Sequence, residues 1–94
     1  MARFVFSKES EFFSWVVDHF HGDRFEAYVT ASNEVIIYPR KSSRPISYAY
    51  IQCSTQSVAE LVKKLKELGL EIYNVSRVEW ADDRMIGYSQ ASQE

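Results

Sequence analysis

The chain has 94 residues, of which 46% are hydrophobic and 15% aromatic, and its formal net charge is −2. This composition predicts one folded domain and argues against a wholly disordered chain. The slightly negative charge disfavours a dedicated nucleic-acid or membrane-surface module, because such modules have an excess of positive charge.

Cysteine usage and hydropathy indicate the cellular setting. Cys53 is the single cysteine, so no internal disulfide can form. No apolar run approaches the ~20 residues that a membrane span needs, and the N-terminus has no apolar signal segment because charge returns at Lys8. We therefore expect a soluble cytoplasmic protein that has no membrane partner.

The first 22 residues predict a short strand followed by a helix. Residues 3–6 are compatible with a strand, and Ser7 is placed to cap the helix, with Gly22 as its end. The apolar spacing predicts that the helix buries a stripe of side chains. This stripe consists of Phe13, Val16, Val17 and Phe20, widened by Phe12 and Trp15.

A hairpin and a third strand follow. Residues 24–31 and 35–38 alternate in the period-two pattern of strands, and Ser32-Asn33 is a turn signal between them. Pro39 ends the second run. Residues 46–53 are rich in aromatic and β-branched side chains and predict the next strand.

A second helix and a last strand complete the predicted domain. Ser54 to Ser57 are cap-forming residues, and Gly69 is the expected end of the helix, with Leu70 in contact with Leu65. The apolar stripe between these ends consists of Val58, Leu61, Val62, Leu65 and Leu68. Residues 71–80 predict one strand, so the domain covers residues 1–80. Residues 81–94 form a polar C-terminal tail that is partly mobile.

The predicted elements follow the order (β)αβββαβ. This order predicts an α+β two-layer sandwich, with two helices packed on one face of a mainly antiparallel sheet. Aliphatic residues suit the face under the helices. The tyrosines Tyr28, Tyr38, Tyr48, Tyr50 and, with an ambiguous register, Tyr73 then fall on the opposite face.

We call this second face the tyrosine face and expect it to be open. An exposed aromatic patch of that size usually marks an interaction site. We therefore predict a small non-enzymatic accessory or regulatory module that forms a homodimer or binds another protein, with Tyr48 and Tyr50 as central anchors. The simpler interpretation is that cross-strand tyrosine pairs only stabilise a solvated sheet.

Nucleic-acid binding is the second hypothesis. Tyrosines on a sheet can stack single-stranded bases, and Arg40, Lys41 and Arg44 in a basic loop offer contacts to phosphates. The order αβββα resembles the topology of double-stranded-RNA-binding domains. Those domains have lysines at the start of the second helix, whereas this chain has them in the middle, at Lys63, Lys64 and Lys66.

Metal binding and catalysis are disfavoured by the residues present. His19 and His21 are two positions apart, which puts them on different sides of a helix, and no second ligand cluster accompanies them. Cys53 is the one candidate thiol nucleophile, but the predicted register turns it toward the covered face. We expect no catalytic residues, no metal and no cofactor.

Overall fold

The computed structural model describes residues 2–19, 25–39, 47–81 and 84–88. Two helices and seven strands lie in this part of the chain. They are β1 (Ala2–Phe6), α1 (Glu9–His19), β2 (Phe25–Thr30), β3 (Glu34–Pro39), β4 (Ser47–Gln52), α2 (Thr55–Leu68), β5 (Glu71–Val75), β6 (Arg77–Ala81) and β7 (Arg84–Tyr88). No helix among the described residues is long and apolar enough to cross a membrane.

Five strands form one sheet in the order β1-β4-β3-β2-β5, and β6 pairs with β7 in a separate two-stranded sheet. The central strand β3 pairs antiparallel with β2 and β4, whereas the outer strands β1 and β5 pair in parallel. The β6–β7 hairpin is antiparallel. The predicted class and order are thereby confirmed: this is a small α+β fold with a mainly antiparallel sheet.

Both helices cover one face of the five-stranded sheet. Phe12 and Val16 of α1 and Leu61 and Leu65 of α2 are buried in one apolar cluster. On the sheet side this cluster contains aliphatic residues that alternate with the tyrosines along the strands, in agreement with the prediction that aliphatic residues lie under the helices. They include Ala27, Val35, Ile37, Ala49 and Ile51.

Helix α1 differs in detail from its prediction. The first residue of the helix is Glu9, and the Lys8 carbonyl accepts the hydrogen bond from the Phe12 N–H. Lys8 and not Ser7 therefore occupies the N-cap position. Phe12 is fully buried, whereas Val17 is 47% exposed. The predicted stripe was therefore wrong at Val17, because the buried face of the helix is centred on Phe12 and Val16. Phe20 and Gly22 lie outside the described residues.

Helix α2 begins and ends where the sequence predicts. The Ser54 hydroxyl accepts the Ser57 N–H, and the Ser57 hydroxyl accepts the Ser54 N–H, which forms a capping box. Gly69 adopts the left-handed conformation at φ 102°. The Leu70 N–H then donates to the Leu65 carbonyl, as in a Schellman motif.

The predicted single strand over residues 71–80 is wrong, since two strands meet at Ser76. Strand β5 ends where its partner β2 ends, with Val75 opposite Thr30. The next strand, β6, pairs with β7, and β7 lies in the segment that was predicted to be a polar tail. Residues 89–94 lie outside the described residues, so the mobility of the tail end stays a prediction.

Candidate interaction surface

The register of the sheet brings the five tyrosines to one face. Tyr28 lies opposite Tyr73 on one side and Ile36 on the other, and Ile36 lies opposite Tyr50. Directly opposed residues in a sheet project to the same face. Tyr38 and Tyr48 follow in the neighbouring row, with their ring centroids 5.9 Å apart. The ambiguity at Tyr73 is thus resolved in favour of the tyrosine face.

The tyrosine face is not open along its whole width, because the β6–β7 hairpin lies across part of it. The Trp80 ring stacks on Tyr48 at a centroid distance of 4.5 Å and contacts Tyr38 at 6.1 Å. Tyr48 is only 7% exposed. Ile36 and Val75 of this same face are also buried. The expectation that Tyr48 is an exposed anchor is therefore wrong.

The second strand of the hairpin lies against the sheet at Gly87. A Cβ atom added to Gly87 would lie 3.4 Å from Cγ1 of Val75 and 3.9 Å from the ring of Tyr28. At the base of the hairpin, the Ser76 N–H and hydroxyl both donate to the Tyr88 carbonyl, at 2.7 and 2.9 Å. The Ala31 N–H donates to the Ser76 carbonyl and ties this base to the sheet.

On the tyrosine face, three tyrosine hydroxyls donate to a carboxylate. Tyr28 donates to Glu26 at 2.7 Å and Tyr73 donates to Glu71 at 2.9 Å, in each case along the same strand. Tyr50 donates across strands to Glu34 at 2.5 Å. These hydrogen bonds fix the ring positions, and the carboxylates disfavour a phosphate backbone beside the rings.

The Tyr50 hydroxyl is part of an internal network. Glu34 accepts from Tyr50 through one carboxylate oxygen and from the Thr30 hydroxyl, at 2.9 Å, through the other. Burial, together with the hydrogen bond and the charge of Glu34, raises the pKa of Tyr50 to about 12, while Arg3 opposes this shift. Tyr50 is therefore a neutral structural residue at physiological pH.

Two parts of the tyrosine face remain accessible. Tyr73 is 40% exposed and stacks on Tyr28 with a centroid distance of 5.4 Å and an angle of 27°. At the other edge of the sheet, on the same face, Val5 of β1 is 62% exposed. Ile86 and Tyr88 are exposed on the outer side of the hairpin.

Arg40, Lys41 and Arg44 of the basic loop lie outside the described residues. Phosphate contacts by this loop therefore stay a prediction.

Of the two histidines considered as metal ligands, the structure describes His19, which packs against Trp15 of its own helix. His19 stacks on the Trp15 ring at 4.1 Å, and its Nδ1 lies 2.9 Å from the Trp15 carbonyl oxygen. His21 lies outside the described residues. Among the residues that are described, no group of three or more His, Cys, Asp or Glu side chains is placed to hold a metal ion.

Cys53 is buried, and its surroundings disfavour the thiolate. Burial and the nearby Glu9 carboxylate raise the pKa of the Cys53 thiol above its ordinary value of 9.0, against a smaller opposite effect of the Ser57 hydrogen bond. The thiolate is the nucleophilic form, so this environment disfavours a nucleophilic role for Cys53.

Trp80 is the residue of this surface that sequence reasoning missed. The positions of the apolar residues in the sequence indicate that Trp80 belongs to a separate strand. Tyr73 and Val75 put the odd positions of β5 on the tyrosine face, whereas Val78 and Trp80 move the apolar set to even positions in β6. Because side chains alternate strictly along a strand, this change indicates that one strand ends near Ser76 and another begins.

Comparison with known proteins adds no family to this description. The chain matches no protein-family model, no curated protein and no solved structure.

Proposed function

We propose that this chain is a small, non-enzymatic protein-interaction module with an accessory or regulatory role in the cytoplasm. It forms a homodimer through the part of the tyrosine face that the β6–β7 hairpin leaves exposed. The observation that carries this proposal is the stacked pair of Tyr73 and Tyr28, in which Tyr73 is 40% exposed.

The chemistry of this pair suits a protein interface. A tyrosine ring offers a large apolar area with little conformational freedom to lose, and Tyr is enriched among the residues that dominate binding energy. The hydroxyl of Tyr73 is held by Glu71, and the ring is held by Tyr28, so its position is set before a partner arrives. Such preorganisation lowers the entropy cost of binding.

The outer side of the hairpin carries a second exposed patch. Gly87 of β7 lies against Tyr28, so its neighbours Ile86 and Tyr88 project from the other side of the hairpin, where both are exposed. The Arg77 guanidinium lies 4.1 Å from the centroid of the Tyr88 ring and forms an ion pair with Glu79 at 3.1 Å. An aromatic patch with a polar rim is the usual anatomy of a binding surface.

The test is the mass in solution, measured by light scattering at low and high salt. The chain mass is 11.0 kDa, and we expect twice that value at both salt concentrations, because burial of aromatic side chains responds little to screening. Tyr73→Ser should shift the equilibrium toward monomer. Val17→Ser is the matched control, because Val17 is also an exposed apolar residue but lies on α1.

Two results would overturn the proposal. One is a monomeric mass at every concentration, and the other is a dimer that Tyr73→Ser leaves unchanged. Circular dichroism of both variants verifies that a lost dimer reflects a lost contact and not an unfolded chain.

A further inference from the structure

Strand β1 is an edge of the five-stranded sheet. It pairs in parallel with β4 along its whole length, from Ala2 opposite Ser47 to Phe6 opposite Ile51. No other strand among the described residues pairs with its outer side. Alternate N–H and C=O groups of an edge strand point away from the sheet, and they can form the next ladder of hydrogen bonds.

The side chains of β1 form an apolar edge on both faces of the sheet. Phe4 lies on the helix side and is 40% exposed, and its ring centroid is 5.6 Å from that of Trp15. Val5 lies on the tyrosine face, opposite Tyr50, and is 62% exposed. An added strand would therefore find apolar surface above and below its backbone.

Two cations, Arg3 and Lys8, lie at or next to this edge. The Arg3 guanidinium lies over the ring of Tyr50, 5.2 Å from its centroid, on the same face as Val5. Lys8 is exposed just after the end of β1. No carboxylate of the described chain lies within ion-pair distance of either side chain. The edge therefore favours a ligand that brings negative charge.

A second copy of the chain fits this edge poorly. The sequence of β1, ARFVF, contains no carboxylate, so pairing two copies of β1 leaves Arg3 without an ionic partner. A five-residue edge also offers much less than the roughly 800 Å² per partner that is usual in a stable dimer. Strand addition by a peptide succeeds with a smaller area, because main-chain hydrogen bonds contribute much of the affinity.

We propose that β1 binds an extended acidic peptide as an added strand of the sheet. In this arrangement one carboxylate of the peptide faces Arg3, and apolar residues face Phe4 and Val5. The proposal extends the interaction role to a surface separate from Tyr73, and it rests on that role but not on dimerisation. A chain that stays monomeric can still bind the peptide.

The test uses a labelled peptide with the core Val-Val-Glu-Val-Val and measures fluorescence anisotropy at low salt. This core reads the same in both directions, so it suits parallel and antiparallel addition alike. The control peptide has Lys in place of Glu. We expect the Glu peptide to bind about fivefold more tightly than the Lys peptide, the most that an exposed ion pair usually contributes. Arg3→Glu should reverse that order.

A backbone control separates strand addition from simple charge attraction. Methylation of alternate peptide nitrogens removes the ladder hydrogen bonds and should abolish binding to the wild-type chain. Amide chemical shifts in NMR should change along β1 and its neighbour β4. Tyr73→Ser should leave peptide binding unchanged, which keeps this test distinct from that of the dimer.

The proposal is overturned if the Glu peptide does not bind, if Arg3→Glu leaves the peptide preference unchanged, or if the shifts fall on other strands. It is also overturned if light scattering shows a dimer that does not bind the peptide and that Arg3→Glu weakens. That last result would identify the occupant of β1 as a second copy of the chain. Arg3→Gln serves as the second variant if Arg3→Glu perturbs folding.

Discussion

The indole ring of Trp80 stacks on the phenol ring of Tyr48, with an angle of 22° between the ring planes. Tyr48 belongs to the five-stranded sheet and Trp80 to the β6–β7 hairpin, so this stack joins two separate sheets. The hairpin is also tied to the sheet at its base, where Ala31 binds Ser76. Ile36, Tyr48 and Val75 of the tyrosine face are buried, so this part of the face is a second buried layer.

Removal of this stack should loosen the hairpin. Trp80→Ala is expected to lower the free energy of unfolding by about 2 kcal/mol, less than is usual for a fully buried tryptophan because the ring is only half-buried. Urea unfolding measures the loss, and hydrogen exchange should become faster in β6 and β7. Trp80→Phe keeps a stacked ring and should cost less. Equal stability of the alanine variant and the wild type would contradict this role of Trp80.

Local signals in the sequence predicted the faces and the ends of the elements. The alternation in residues 25–31 and 35–38 placed Tyr28 and Tyr38 on one face, because a slip of one residue would turn the whole apolar set outward. Ser54 and Gly69 predicted the ends of α2 because capping depends on residues next to the helix.

These local signals do not predict contacts between segments that are far apart in the chain. The parallel pairing of β1 with β4 and of β2 with β5 joins strands that are far apart in the chain. The burial of Tyr48 depends on Trp80, which no local pattern links to it. For the same reason the sequence predicted five similar tyrosines, whereas the structure separates the buried Tyr48 from the exposed Tyr73.

The stability of the chain should depend on the ionisation of Tyr50 at alkaline pH. The pKa of Tyr50 is about 12 in the folded state, and an unfolded tyrosine has a pKa of about 10. The folded chain therefore holds this proton more tightly, so the contribution to stability is complete below about pH 10 and is lost as the pH rises toward 12. Urea unfolding across this range should show a steeper loss for the wild type than for Tyr50→Phe.

The comparison with Tyr50→Phe isolates one group, because the other five tyrosines are the same in both chains. Parallel stability curves would show that Tyr50 titrates normally. Glu34→Gln provides a second check: it removes the charge that helps to raise the pKa of Tyr50. Tyrosinate absorbance should then show the last tyrosine titrating at a lower pH than in the wild type.

Two glycines should respond differently to alanine. Gly69 has φ 102°, a conformation that side chains rarely adopt, so Gly69→Ala is expected to cost about 1 kcal/mol. At Gly87 an added methyl group meets Val75 and Tyr28 at ordinary contact distances, so Gly87→Ala should change stability by less than about 0.5 kcal/mol. Thermal unfolding of both variants checks this order. A larger loss at Gly87 would mean that the hairpin packs more tightly on the sheet than these distances indicate.

The buried thiol of Cys53 should react slowly with an aromatic disulfide reagent. Cys53 is buried, and its pKa is raised by burial and by Glu9, so the folded chain has little thiolate near pH 8 and little access to it. The rate should be much lower in buffer than in urea. Glu9→Gln removes one cause of the raised pKa and should speed the reaction of the folded chain, while the rate in urea stays the same. If the folded chain reacts as fast as the unfolded one, Cys53 is accessible and ionised, and the non-enzymatic role proposed for this chain must be reconsidered.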